Sequence, residues 1–484
     1  MHFFLLSKWL CQGQQRSLWL AGILLFSLLS GGKAIATDNF ATANPVPKAT
    51  AAARVEQRQK QVRLAQPGNY DLSRYPVTDA NERHWRTVLW ATALREPQYA
   101  EVAQALEGIL ALTSTPKLSQ PQMRTVDMAM QVGTQLYLHF PARYGSLESS
   151  FRQTIARSPD PQWVAMALSA LAKGGLSPTE LQSKRLGDSD RHIPLAKGGL
   201  SPTELQSLSD RVRQRFPRWS QDVFLQTTLA DVTASLTPQA TPPLRDLLQW
   251  TIAPQQLHLY VLCPRDRGLS CRALLKDASG QFVRQAGQLW SVPLLLRSLH
   301  DLAWNFERGE TPQGIYRIEG VVPQPDYEFF GAYGQFALVK LFVPFESGVR
   351  AFLPSQKGRF TGNLAAYQAL LPPTWRNYKP IQETYWAGKA GRSLFRIHGS
   401  GEATDFFNGK ERYPASAEWN PTIGCLSALE VYDETGRLQQ ADMPKILNAL
   451  TAAGGKNFSG YMIVVEVPDA ALTSATAEIE AAMQ

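Results

Sequence analysis

Apolar positions between about residues 79 and 247 recur with helical spacing. Val102, Leu106, Ile109 and Leu110 follow i, i+4, i+7, i+8, and Met123, Val126 and Met130 follow i, i+3, i+7. Trp163, Ala167, Leu168 and Leu171 continue the stripe, while Pro116, Pro141, Pro159 and Pro161 break it into several short helices packed as hairpins. From about residue 255 the period shortens to two. Leu257, Leu259, Val261 and Cys263 alternate with Gln256, His258, Tyr260 and Leu262, and strand-like runs return at 273–275, 314–320, 335–339, 393–397 and 460–467. One helix is expected between them, from Met443 to Leu450. The pattern predicts an α+β chain, with an all-α helical domain over 69–250 followed by a mostly β domain over 251–468.

The flanks read differently. Lys8 and Arg16 precede an apolar run from Leu18 to Leu29, and Ala34-Ile35-Ala36 follows as an A-x-A site. Residues 1–36 therefore read as a secretory signal peptide, or as an uncleaved anchor with a short core. Residues 37–68, rich in Ala, Pro, Gln and charge, are expected to be a flexible linker, and residues 469–484 a tail. With no later apolar run long enough to span, the expected address is the periplasm or cell envelope, without membrane attachment once the signal is cleaved. The net charge of +8 loses Lys8, Arg16 and Lys33 with the signal and becomes +5, too mild to argue for nucleic acid. Within the helical stretch, thirteen residues from Leu171 to Ser183 recur identically from Leu195 to Ser207. This is a local duplication whose Ser-Pro-Thr-Glu-Leu opens a helix with Ser as N-cap and Pro at the first position.

Cysteine usage narrows the chemistry. Cys11 lies in the signal, and Cys263 and Cys271 flank a short turn between two strands. In an oxidising compartment that pair closes a hairpin disulfide; a metal site is the alternative, although no second Cys or His cluster accompanies it. Cys425 is then the odd thiol, either a retained nucleophile or a buried inert residue. Thr422-Ile423-Gly424-Cys425-Leu426 forms a turn around it, and Phe395-Arg396-Ile397-His398-Gly399 ends a strand upstream. These residue types supply cysteine acyl transfer: Cys425 as nucleophile, His398 as base, and amides near Gly424, Cys425 and Gly399 for an oxyanion. Thr422 either orients the substrate carbonyl or steadies the turn, and a third group must fix the imidazole tautomer. His300 is the other base to consider, and His84 and His139 read as structural. The chain has no Gly-x-Ser-x-Gly elbow, no His-Glu-x-x-His helix and no phosphate-binding glycine loop, so it offers no motif for those classes, for a metal or for a cofactor.

In order along the chain, Thr311-Pro312-Gln313-Gly314, Ile397-His398-Gly399 and Thr422-Ile423-Gly424-Cys425-Leu426 resemble the motifs of the YkuD-type L,D-transpeptidase catalytic domain. The resemblance covers about 255 to 467. It implies a transpeptidase-like fold, acylation of Cys425 by a peptidoglycan stem peptide with release of the terminal D-alanine, and transfer to an amine on another stem. Water as acceptor would make the protein a carboxypeptidase, and a degenerate site would leave a wall-binding protein. The family commonly has His where Ile423 stands and Arg or Asn where Ser427 stands, so these two positions are expected to touch substrate. Trp419 and Tyr413, with Phe406 and Phe407, fall in an enlarged loop between His398 and Cys425, where they either line a groove or pack. The helical domain is expected to scaffold, or to dock an envelope protein partner.

Overall fold

Residues 44–174, 200–324, 336–401, 410–468 and Glu480 are described by the computed structural model. Residues 1–36, expected to be a signal peptide, most of the first copy of the duplication, Phe406 and Phe407, and nearly all of the 469–484 tail lie outside the described residues.

The helical periodicity is realised in the helices Glu82–Arg95, Ala100–Ala111, Gln120–His139, Leu147–Arg157, Pro161–Lys173, Pro202–Arg215 and Val223–Leu236. Their starts follow from the sequence. Ser119 and Ser201 form capping boxes with Gln122 and Glu204, and Asp160 and Asp222 cap the helices that follow them. Ser201 belongs to the second copy of the duplication, so that helix start is as expected. The stretch expected to be a flexible linker is helical instead from Ala51 to Leu64. Thr50 caps it, and backbone bonds from Val46 to Gly436 and from Ala51 to Glu434 anchor its entrance on a distant hairpin. Those long-range partners are invisible to local periodicity.

Among the described residues twelve strands follow: β1 (Leu257–Cys263), β2 (Cys271–Lys276), β3 (Arg284–Gln285), β4 (Gln288–Leu289), β5 (Ser291–Leu294), β6 (Gly314–Val322), β7 (Leu338–Phe342), β8 (Arg396–Gly399), β9 (Leu426–Ala428), β10 (Glu430–Tyr432), β11 (Leu438–Ala441) and β12 (Ser459–Glu466). Eight form one mixed sheet in the order β5-β2-β1-β12-β6-β7-β8-β9. Its two edges approach each other, because Leu295 and Ser427 exchange both backbone hydrogen bonds, so the sheet is nearly closed into a barrel. Alternation sorts its side chains. Leu259, Val261, Met462, Val464, Phe395, Ile397, Leu426 and Ala428 share one core with the helix Met443–Gly454, while Tyr260, Leu262, Tyr461, Ile463 and Val465 face a second core on the other side. Cys263 and Cys271 are disulfide-bonded, which resolves their two readings.

The two regions are interleaved. Residues 295–310, between β5 and β6, send Leu299, Leu302, Ala303 and Phe306 into the helical core. In return Leu247 and Leu248, from the last helix before the sheet, pack in a sheet core. The chain is thus a mixed α and β protein with its helices concentrated in the N-terminal part.

Candidate active site

The strand ending in His398-Gly399 and the strand beginning after Cys425 lie side by side. β8 and β9 run parallel, with Ile397 opposite Leu426, His398 opposite Ser427 and Gly399 opposite Ala428. Since Ile397 and Leu426 turn into the core, His398, Arg396 and Ser427 turn to the other face. The Cys425 sulfur sits just before β9, beside the start of β8: its thiol donates to Leu394 O at 3.8 Å, and the Arg396 amide donates to the sulfur. Among the described residues His398 is not a partner of that sulfur; the two are neighbours in strand position rather than a hydrogen-bonded pair.

His398 Nδ1 lies 2.7 Å from Gly399 O. A carbonyl only accepts, so Nδ1 carries the proton and Nε2 carries the lone pair. The carbonyl is thus the group that fixes the tautomer. Burial moves the imidazole below its usual 6.5, so it is neutral and basic at pH 7. The Cys425 residue keeps some surface, but burial of its sulfur still raises the thiol; Arg396 first, then Arg392, pull it back, and Glu346 adds to the rise. Burial raises Glu346 to about 7, although its carboxylate accepts from the Leu394 and Val343 amides.

The turn before Cys425 is fastened from within and from outside. Thr422 Oγ1 donates to Cys425 O at 2.7 Å and accepts from Gly424 N, so Thr422 steadies the turn and the Gly424 amide is engaged inside it. Thr311, from the Thr-Pro-x-Gly segment, donates to Gly424 O at 3.0 Å. Gly424 has φ +117°, and a Cβ there would lie 2.3 Å from Arg392 Nη2. Arg392 is buried and donates to the carbonyls of Trp304, Gly309 and Glu310, fastening the 295–310 segment beneath the turn. That segment also exchanges backbone bonds with Thr422, from Leu299 N and through Arg297 O. A Cβ on Gly399 would lie 2.2 Å from the Glu430 carboxyl, which accepts from Gly401 N. Burial raises Glu430 to about 8, and its Oε1 makes no hydrogen bond among the described residues.

The remaining candidates separate. Ile423 packs against the helical core. Ser427 is fully buried, its backbone joined to Leu295 and its hydroxyl without a partner among the described residues. Tyr413 is taken up at the junction of the two regions, under the Arg297 guanidinium at 3.9 Å and with its hydroxyl 3.3 Å from Asp301. Trp419 is partly buried, and its indole N–H has no partner among the described residues. His300 is not on a helix; it is fully buried, bonded to Gln135, and pushed down to about 3 by burial, so it is structural. His139 bridges Glu96 at 2.5 Å and Asp301 at 2.7 Å, with Arg412 on the same Glu96 at 2.6 Å. Sequence reasoning missed Arg392, Arg396 and Glu430. Arg396 opens a strand whose alternation already placed it off the core, but the Leu341 carbonyl it meets, like the carbonyls and Gly424 that Arg392 meets, is distant in sequence. No group of three or more His, Cys, Asp or Glu that could hold a metal occurs among the described residues. No helix among them is long and apolar enough to cross a membrane. Comparison with protein-family models, curated proteins and solved structures gives no match to this chain.

Proposed function

We propose that this chain is an exported cysteine acyltransferase of the L,D-transpeptidase type, acting in the cell envelope on peptidoglycan stem peptides. The observation that carries the reading is the placement of His398 on β8 and of Cys425 immediately before the neighbouring parallel strand β9, with the imidazole tautomer fixed by Gly399 O. The Cys425 side chain rotates off Leu394 O toward the outer face, and His398 Nε2 takes its proton. The thiolate attacks the amide carbonyl, and the developing oxyanion falls beside the Cys425 amide and the Arg396 cation. Collapse expels an amine, protonated by the imidazolium, and leaves a thioester. An amine from a second stem then forms the cross-link, or water releases a trimmed stem.

The competing reading is a wall-binding protein without turnover, favoured by the seat of the thiol on Leu394 O and its raised pKa. Intact mass after incubation with purified muropeptides decides between them. The expected outcome is a thioester adduct on the wild-type chain and none on Cys425→Ala. Wall binding without any adduct would defeat the enzyme reading, and an unchanged adduct on Cys425→Ala would remove Cys425 as nucleophile.

A further inference from the structure

We propose that Arg396 and Lys340 form an anion subsite beside Cys425, which takes a carboxylate of the molecule whose carbonyl meets the thiol. β7 and β8 pair antiparallel with Lys340 directly opposite Arg396. Their strand neighbours Val339, Leu341, Phe395 and Ile397 turn into the core, so both cations project from the other face, the face of His398. Like charges directly opposite each other across a ladder are destabilising. The two side chains are nonetheless half-buried together, and among the described residues neither forms an ion pair with a carboxylate. Glu346, the acid that acts on Arg396, spends its oxygens on the Leu394 and Val343 amides, and burial keeps much of it protonated near neutral pH. The positive charge facing the thiol is therefore not neutralised by the fold.

Arg396 is also held in place. Its Nη1 donates to Phe395 O at 2.6 Å and to Leu341 O at 3.4 Å, while Nε and Nη2 make no hydrogen bond among the described residues. Neighbouring strands are about 4.8 Å apart, so Arg396 stands about 5 Å and Lys340 about 10 Å across the sheet from the line of β9, which Cys425 immediately precedes. A carboxylate one residue from a carbonyl at the sulfur falls in that range, because successive Cα atoms are about 3.8 Å apart. Two sources satisfy the chemistry: the terminal carboxylate of the residue released, or a side-chain carboxylate on the acyl residue. The proposal rests on Cys425 as the group that meets the carbonyl, but the charge preference can be measured without acyl transfer.

The test is alkylation of Cys425 in the full chain by iodoacetate and by iodoacetamide at pH 6.5, where much of Glu346 is still protonated, followed by peptide mass at that residue. In both reactions the sulfur displaces iodide from the methylene carbon and the thiol proton passes to the buffer, so any change in thiol pKa affects both rates alike. The ratio of the two rates, relative to N-acetylcysteine, is expected to be about tenfold in favour of iodoacetate, from two nearby cations. Arg396→Gln and Lys340→Gln should each lower it by about threefold, and Arg396→Lys should keep most of it. A wild-type ratio equal to that of the free thiol, or one unmoved by either Gln variant in folded protein, would overturn the subsite.

Acylation then separates the sources, using matched peptide donors with a free C-terminus, a C-terminal amide, or a side-chain amide on the acyl residue. Failure of the C-terminal amide alone assigns the terminal carboxylate, and failure of the side-chain amide alone assigns the other. Equal acylation by all three refutes the carboxylate assignment. Absence of acylation by every donor, with the iodoacetate preference intact, sinks the acyl-transfer reading and leaves the anion subsite standing.

Discussion

Glycine at 399 is demanded by one contact. Its Cα lies against the buried Glu430 carboxyl, and the next amide but one, Gly401 N, donates to that same carboxyl. Gly399→Ala forces either the carboxyl or the His398 strand end to move, at a cost of about 1–3 kcal/mol. Adding Glu430→Ala should recover part of that loss, and chemical denaturation of the two single variants and the double variant measures the coupling. A purely additive cycle would show that the contact is not what requires glycine. Glu430 adds a pH signature. Its folded pKa is raised to about 8 by burial, so the protonated form is favoured in the fold. Its contribution is complete below its ordinary value near 4.5 and is lost as pH climbs through about 8, a decline that Glu430→Gln should remove. The motif glycines were legible in the sequence as support for an oxyanion and a turn; what each approaches was not, because Glu430 and Arg392 reach them only through the fold.

At the scale of elements, residues 295–310 join two jobs that the sequence kept apart. One end pairs with Thr422 and Ser427 around Cys425, and the other buries Leu302 and Phe306 in the helical core. Phe306 stacks on Phe224, and Asn305 donates to Thr227 and Thr228. Ile423, from the turn that leads into Cys425, rests on the same core. A polar residue at position 423 would face apolar helices, which gives the isoleucine a packing reason. Leu302→Ala is expected to cost about 2–5 kcal/mol and to slow Cys425 alkylation or acylation beyond any loss of folded protein. Reactivity per folded molecule equal to wild type would show that the helices do not position the thiol. The strands and most helices were legible from periods of 2 and 3.6. This segment was not: it lies on neither period, and the run around His300 is irregular chain whose apolar side chains serve two cores.

Across the whole molecule, an ionic cluster fastens the helical part to the sheet part. Burial alone would lower His139, but Glu96 and then Asp301 raise it to about 9; burial alone would raise Glu96, but His139 and then Arg412 hold it below its ordinary range. The imidazolium is therefore favoured in the fold. Its contribution is complete below the ordinary value near 6.5 and is lost as pH rises through about 9, whereas that of Glu96 is present above about 4.5 and is lost in acid. Thermal melts should show wild-type stability falling from neutral pH to pH 9–10. His139→Gln should cost about 3–5 kcal/mol at pH 6 and flatten that alkaline decline. An equal slope in the variant would assign the decline to other groups. The central position of β12 reaches further. The last strand of the sheet to be made lies between β1 and β6, so until residues 459–466 arrive the early strands β5-β2-β1 and the sulfur-bearing set β6-β7-β8-β9 have no ladder between them. A chain still lacking those residues joins the two halves of its sheet only at the Leu295–Ser427 bridge, and the surroundings of the thiol gain their full frame only once that strand has arrived.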